Sequence, residues 1–431
     1  MRIGIVPPDN PSAGGIYQYG LTMLQTLKEY KEGGCEDEFS LFSFAAPPCD
    51  ILSIDPAKWL SETVPPPPVE SGFKIRLRNL IGQGPHFDAW RWLRRAMTKR
   101  ADEKRDEATF RCMNDKFRAS GVELLVYPFP SPLAFRTQIP YVMAIHDLQH
   151  RLQPEFPEVS ADGEWEFREN IYQNGIRNAT LLIADSEVGK EDILNCYGVS
   201  PDRVKVLPFL PASYLATDVT EKERKSIRIR YALPERYLFY PAQFWPHKNH
   251  KRIVQAMGLL KKTRGLAIKA VFCGSHTQEI RERTFQDVMA AASAAGIAEN
   301  IQYLGYVPNR DISAIYAEAT GLVMPTFFGP TNIPVLEAWA LECPVLSSDI
   351  RGIREQIHNA GILVDPRSVE SIADGIHKLW TEDSLRAELA RRGVRRLATY
   401  TPASYRQRLI EILEESKLRV GHMSNLRLQS I

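Results

Sequence analysis

Short apolar runs alternate with longer stretches of helical period along nearly the whole chain, and this alternation restricts the fold more than any other feature. In the first half the runs are RIGIV, FSLFSF, VELLVYP, YVMAIH, TLLIADS and RVKVL; in the second they are YLFYPA, IKAVFCG, IQYLGY, GLVMP, PVLSS and GILVD. Continuously apolar runs of this length suit strands buried on both faces, and the helical stretches between them supply the crossovers that parallel strands require. The chain reads as α/β, with two doubly wound, Rossmann-like domains. Its 431 residues favour two domains of ordinary size. The expected division is a first domain at 1–207 with a basic excursion at about 65–118, a linker at 208–232, a second domain at 233–401, and a closing helix and tail at 402–431. The linker is placed where PFLPASYLATDVTEKERKS, residues 208–226, loses apolar periodicity.

An apolar share of 44% and a charged share of 25% are globular averages, which exclude a disordered chain or a disulfide scaffold. The six cysteines are scattered without a C-x-x-C pair, as expected of reduced residues in a cytoplasmic protein. The opening MRIGIVPPDN stops at prolines, too brief an apolar run for a signal peptide, and no later run reaches the roughly 18 apolar residues of a membrane span. A net charge of +2 argues against general nucleic-acid binding. Charge is nonetheless uneven: between Ser71 and Arg100, eight basic residues face one acid, Asp88, and Phe73, Phe87, Trp90 and Trp92 are interleaved with them. Such a segment reads first as a solvated helical face with core anchors, and second as a peripheral contact with an anionic membrane surface.

Open α/β sheets bind ligands at the carboxyl ends of their strands, so the loops there carry the functional reading. PTFFGPTNIPVLEAWALECPV, residues 325–345, is a strand end, a polar loop and a helix with Pro334 in its first turn. Thr331 and Asn332 would lie at that helix start, where free amides and the dipole favour an anion such as a phosphate. Glu337, about one turn in, suits accepting hydrogen bonds from hydroxyls such as those of a ribose; an ordinary loop with a dipole-favoured glutamate is the plainer alternative. In YPAQFWPHKNHKRIVQAM, Lys248 opposes the dipole of the helix it precedes, and a bound anion would give it a reason to be there. The alternative is a solvated loop lysine. His247 and His250 lack the neighbouring carboxylates or cysteines of a metal site. In YVMAIHDLQH, His146 ends a strand, a place from which a histidine can donate a hydrogen bond to substrate; a structural histidine is the plainer alternative. His146 and His150 form no H-E-x-x-H, so zinc is not expected. Gly14 and Gly15, between the first strand and a helix, allow close backbone approach to a ligand, but without G-x-G-x-x-G a nicotinamide cofactor is not expected.

Taken together, Gly14-Gly15, IHD at 145–147, ADSEVGKEDI at 184–193, YPAQFWPHKN at 240–249, YLGYVPNRDI at 303–312 and the 325–345 stretch resemble the retaining GT-B glycosyltransferases of family 4. The resemblance implies two facing Rossmann-like domains with a cleft, and a closing helix that crosses back to the first. It implies that the loop of Pro330, Thr331, Asn332 and Ile333 holds the diphosphate of a nucleotide sugar, with Gly14, Gly15 and Gln243 also against the donor. Lys248 matches the phosphate-binding lysine, Glu337 the glutamate that accepts from the ribose, and His146 the histidine beside the transferred sugar; Tyr306 and Val307 lie where the base is read. Neither a cofactor nor a metal is implied, and no D-x-D run stands in a fitting place. Two departures concern the donor: Gly329 replaces the family's first glutamate, eight residues before Glu337, and Gln243 stands where an arginine is common, five before Lys248. FWPHKNH and FGPTNIPVLEA are similar to bacterial polysaccharide transferases, which favours GDP-mannose as donor, with a UDP-sugar as runner-up and a glycan or lipid-linked acceptor. A non-catalytic nucleotide-sugar-binding subunit and a sugar-nucleotide epimerase are the other readings.

Overall fold

The computed structural model describes residues 1–8, 14–43, 60–63 and 107–429, so the basic segment from Phe73 to Arg100 lies outside the described residues. All twelve strands expected from the apolar runs are present. The first sheet comprises β1 (Arg2–Ile5), β2 (Glu38–Ser43), β3 (Leu60–Thr63), β4 (Leu124–Tyr127), β5 (Tyr141–Ile145), β6 (Leu181–Ala184) and β7 (Val204–Val206), in the order β3-β2-β1-β4-β5-β6-β7. The second comprises β8 (Leu238–Pro241), β9 (Ala270–Cys273), β10 (Ile301–Tyr303), β11 (Gly321–Met324), β12 (Val345–Ser348) and β13 (Ile362–Val364), in the order β10-β9-β8-β11-β12-β13. Every neighbouring pair of the second sheet is parallel, and so are β1 with β2 and β4, β2 with β3, and β6 with β7 in the first. Strands β4, β5, β6, β9, β11 and β12 are buried at every position, which is why they read as unbroken apolar runs. β3, the sequence LSET, has no such run and escapes a reading by apolarity; it pairs with β2 at one end of the order.

The chain divides into two compact units, residues 1–142 with 419–431, and residues 143–418. In the first, the helix Gly15–Glu32 follows β1 and buries Leu21, Met23, Leu24 and Leu27 on one face. Gly14 caps it at φ 62°, a conformation that favours glycine. In the second, the stretch expected as linker is partly helical. Thr220 and Glu223 form a reciprocal capping box that starts the helix Glu221–Arg230. Arg228 pairs with Glu318 and Arg230 with Asp311 at 2.8 Å, which fastens this helix to the helix Asn309–Glu318. The closing helix runs over Pro402–Gln429, and its Glu415 meets Lys205 of β7 at 2.6 Å.

Candidate functional site

Loops after β5, β6, β8 and β11 converge within the unit 143–418. After β8 the chain makes a short turn, Pro246–Lys248, and enters the helix His250–Arg264 through Asn249 at φ 64°. Asparagine tolerates that left-handed conformation, and its amide donates to the carbonyls of Pro325 and Pro366 at 2.8 Å each. The carbonyl of His247 accepts from Phe327 N–H at 2.8 Å and from the Thr326 hydroxyl at 3.2 Å. The turn carrying Lys248 is thus bonded to the start of the 325–332 loop. Among the described residues no carboxylate forms an ion pair with Lys248; burial draws its pKa down to about 8, partly offset by the negative charges of Asp147 and Glu158.

The 325–332 loop is held from its other side. Thr331 donates its hydroxyl to Asp185 at 2.9 Å, and Gln356 clasps the backbone of Asn332, accepting from its N–H at 3.0 Å and donating to its carbonyl at 2.9 Å. Gly352 lets the helix Arg351–Ile357 approach Pro330, since a Cβ there would lie 2.5 Å from Pro330 backbone. Pro334 occupies the first turn of the helix Ile333–Ala340, as expected, and neither Asn332 nor an acidic side chain caps that turn. Its amino end remains suited to an anion. Gly329 has φ 111°, and a Cβ there would stand 3.1 Å from the Asn332 amide, so this backbone is built for glycine.

Glu337 is 3% exposed. It accepts from Tyr214 at 2.7 Å and Tyr316 at 3.0 Å, and burial raises its pKa against those two bonds. His146 stacks on Phe209 with centroids 5.8 Å apart, and Asp147 accepts from Gln149 N–H at 3.0 Å and lies 3.7 Å from Arg168. A cavity of about 260 Å³ is lined by His146, Asp147, Gln153, Phe328, Gly329 and Arg351, among others. Val307 is buried whereas Tyr306 is 79% exposed, beyond the turn that Gly305 makes at φ 69°. Gln243 accepts from Trp245 Nε1 at 2.9 Å. Gly14 and Gly15 belong to the other unit, whereas the remaining expected residues, from 146, 243–248, 306–307 and 330–337, all fall within the unit 143–418.

Sequence reasoning missed four groups here. Glu158, on the short helix Pro157–Ser160, accepts from His247 N–H at 3.1 Å, with His247 Nδ1 2.6 Å from the same oxygen. The His247 ring stacks on Phe328 at 3.8 Å. Asp185, Tyr214 and Arg281 are the others. They meet loops far away in sequence, Asp185 and Arg281 buried and Tyr214 half-buried; Asp185 lies in ADSEVGKEDI and Tyr214 in PFLPASYLATDVTEKERKS, though neither stretch singles them out.

Residues 221–396 match the family described as Glycosyl transferases group 1. The chain is 27% identical over 240 residues to the O-antigen chain mannosyltransferase B of Escherichia coli, covering 55% of this chain and 61% of that protein. It is 25% identical over 258 residues to the D-inositol 3-phosphate glycosyltransferase of Paenarthrobacter aurescens, covering 57% and 62%. The chain thus spans about three fifths of the length of the curated relatives it matches. Among solved structures, Anabaena Alr3699/HepE in complex with UDP and glucose aligns with 96% of this chain and 99% of its own, at a TM-score of 0.68 and 16% identity. That likeness establishes the fold, which is GT-B.

Proposed function

From a chain whose residues 221–396 match the glycosyl transferases group 1 family within a GT-B fold, we propose a retaining, metal-independent glycosyltransferase. It moves a sugar from a nucleotide-sugar donor, with GDP-mannose favoured, to a glycan or lipid-linked acceptor in bacterial polysaccharide synthesis. The observation that carries this reading is Lys248, a cation without a bonded carboxylate among the described residues, on a turn bonded to Thr326 and Phe327 of the loop that leads into the uncapped helix start at Ile333. The mannosyltransferase relative supports the donor sugar; the UDP bound by Alr3699/HepE keeps a UDP-sugar as the alternative.

As the bond between sugar and phosphate breaks, the leaving diphosphate gains negative charge. Lys248 and the amides at the start of the helix Ile333–Ala340 neutralise it from fixed positions. His146 hydrogen-bonds a sugar hydroxyl, and Glu337 accepts from the ribose beside its tyrosine partners. The acceptor hydroxyl attacks the anomeric carbon on the face the diphosphate leaves, and its proton passes to the leaving phosphate oxygen. A non-catalytic nucleotide-sugar-binding subunit is the second reading, favoured by Gly329, whose backbone angle disfavours a glutamate there. Thermal shift with GDP, UDP and their sugar conjugates tests the binding, since ligands of the native state raise apparent stability. Acceptor-dependent release of nucleoside diphosphate separates the two readings: release supports the transferase, and binding without release supports the subunit.

A further inference from the structure

Arg281 stands in the first turn of the helix Glu279–Ala294 and is only 5% exposed. Its charge is costly there twice over, because it is taken from water and because it faces the positive end of a helix dipole. The carboxylates of that turn are engaged elsewhere: Glu279 with Arg283, and Glu282 with His276 and Gln286. Among the described residues no hydrogen bond or ion pair reaches Arg281, and its enclosed Nε has no partner. Burial lowers its pKa. What it does meet is Trp245, whose ring centroid lies 4.9 Å from the guanidinium carbon. Trp245 donates to Gln243 and its carbonyl accepts from Lys248 N–H, both at 2.9 Å. The unpaired guanidinium is therefore packed on the side chain of Trp245, the residue that leads into the turn carrying Lys248.

We propose that Arg281 is a second cation of the donor site and, with Lys248, binds the phosphates of the nucleoside diphosphate. This rests on the nucleotide-sugar reading above and assigns the anion that would compensate a buried guanidinium. A structural cation and a ligand-binding one respond oppositely to removal. Losing a structural partner of Trp245 lowers the stability of the free protein, whereas losing an uncompensated buried charge leaves it unchanged or raises it. The experiment measures melting temperature and the affinities for GDP, guanosine and inorganic pyrophosphate, with UDP and uridine in parallel, for the unaltered chain, Arg281→Gln and Arg281→Met. The expected result is a free-protein melting temperature unchanged or raised, about tenfold or greater loss for the diphosphates and pyrophosphate, and no change for the nucleosides. Arg281→Lys, which keeps the charge without the planar fork, lies between and serves if the other variants fail to fold. A diphosphate-to-nucleoside affinity ratio unchanged in the variants overturns the inference while the nucleotide reading stands. An unaltered chain that binds neither GDP, UDP nor pyrophosphate overturns both.

Discussion

Burial draws the Lys248 ammonium down to about 8, so it begins to lose its proton just above neutral pH. A bound diphosphate favours the charged form, and above that pH binding must take up a proton. Affinity for GDP should therefore fall by up to about tenfold per pH unit above pH ~8. Calorimetry at pH 7, 8 and 9 in buffers of different ionisation enthalpy reads both the fall and the proton uptake. Lys248→Arg, which stays charged, should lose that slope whatever its absolute affinity; a slope retained in the arginine variant assigns the titration to another group. Glu337 is tested differently. Glu337→Ala takes an acceptor from the Tyr214 and Tyr316 hydroxyls and removes the proposed ribose acceptor, with an expected loss of about 1.5–3 kcal/mol in nucleotide affinity. Glu337→Gln keeps the shape and one acceptor oxygen, and should melt closer to the parent. A variant that binds normally in its folded fraction would mean that Glu337 only anchors the two tyrosines.

At the scale of elements, two buried links hold the loops that carry these residues. Asp185 joins the loop after β6 to Thr331, and burial raises its pKa to about 8. A carboxyl raised in the folded state stabilises the fold fully below its unfolded value near 3.8, and that contribution is lost as pH rises to about 8. Asp185→Asn should accordingly flatten the change of melting temperature between pH 4 and pH 8, and an unchanged slope would rule Asp185 out as its source. Glu158 plays the same part for the His247 turn, and Glu158→Ala should lower turnover by loosening Phe328 and Lys248 while Glu158→Gln, still able to accept from His247 N–H, recovers most of it. Much of this scaffold was legible in sequence. Twelve strands announce themselves as apolar runs, most plainly the six that are buried at every position, and Pro334 marks its helix because proline is preorganised there. The helix at Glu221 carried a readable signal, Thr220 and Glu223 three apart, which the lack of apolar periodicity concealed. Glu158 and Arg281 carried none, and ADSEVGKEDI drew attention without singling out Asp185: their roles come from burial and from partners such as His247, which lies 89 positions from Glu158.

At the scale of the whole molecule, most of the residues proposed to hold the donor and the excess of positive charge fall in different stretches of the sequence. Apart from Gly14 and Gly15, the proposed donor residues lie between 146 and 337, whereas the basic residues concentrate between Ser71 and Arg100, eight against one acid. A lipid-linked acceptor would be met at an anionic surface, and basic residues interleaved with aromatics suit that contact. The full chain should therefore sediment with vesicles containing anionic lipid at low salt, weakly with neutral vesicles, and less as ionic strength shortens the screening length. Reversing three of these charges, in Lys74→Glu, Arg76→Glu and Arg78→Glu together, should reduce sedimentation sharply. The same variant should keep the rise in melting temperature given by nucleoside diphosphate, because none of the three belongs to the Lys248 turn or the 329–337 stretch. Equal loss of both would mean that the segment supports the fold, and sedimentation absent at low salt in the unaltered chain would leave the basic residues as a solvated face.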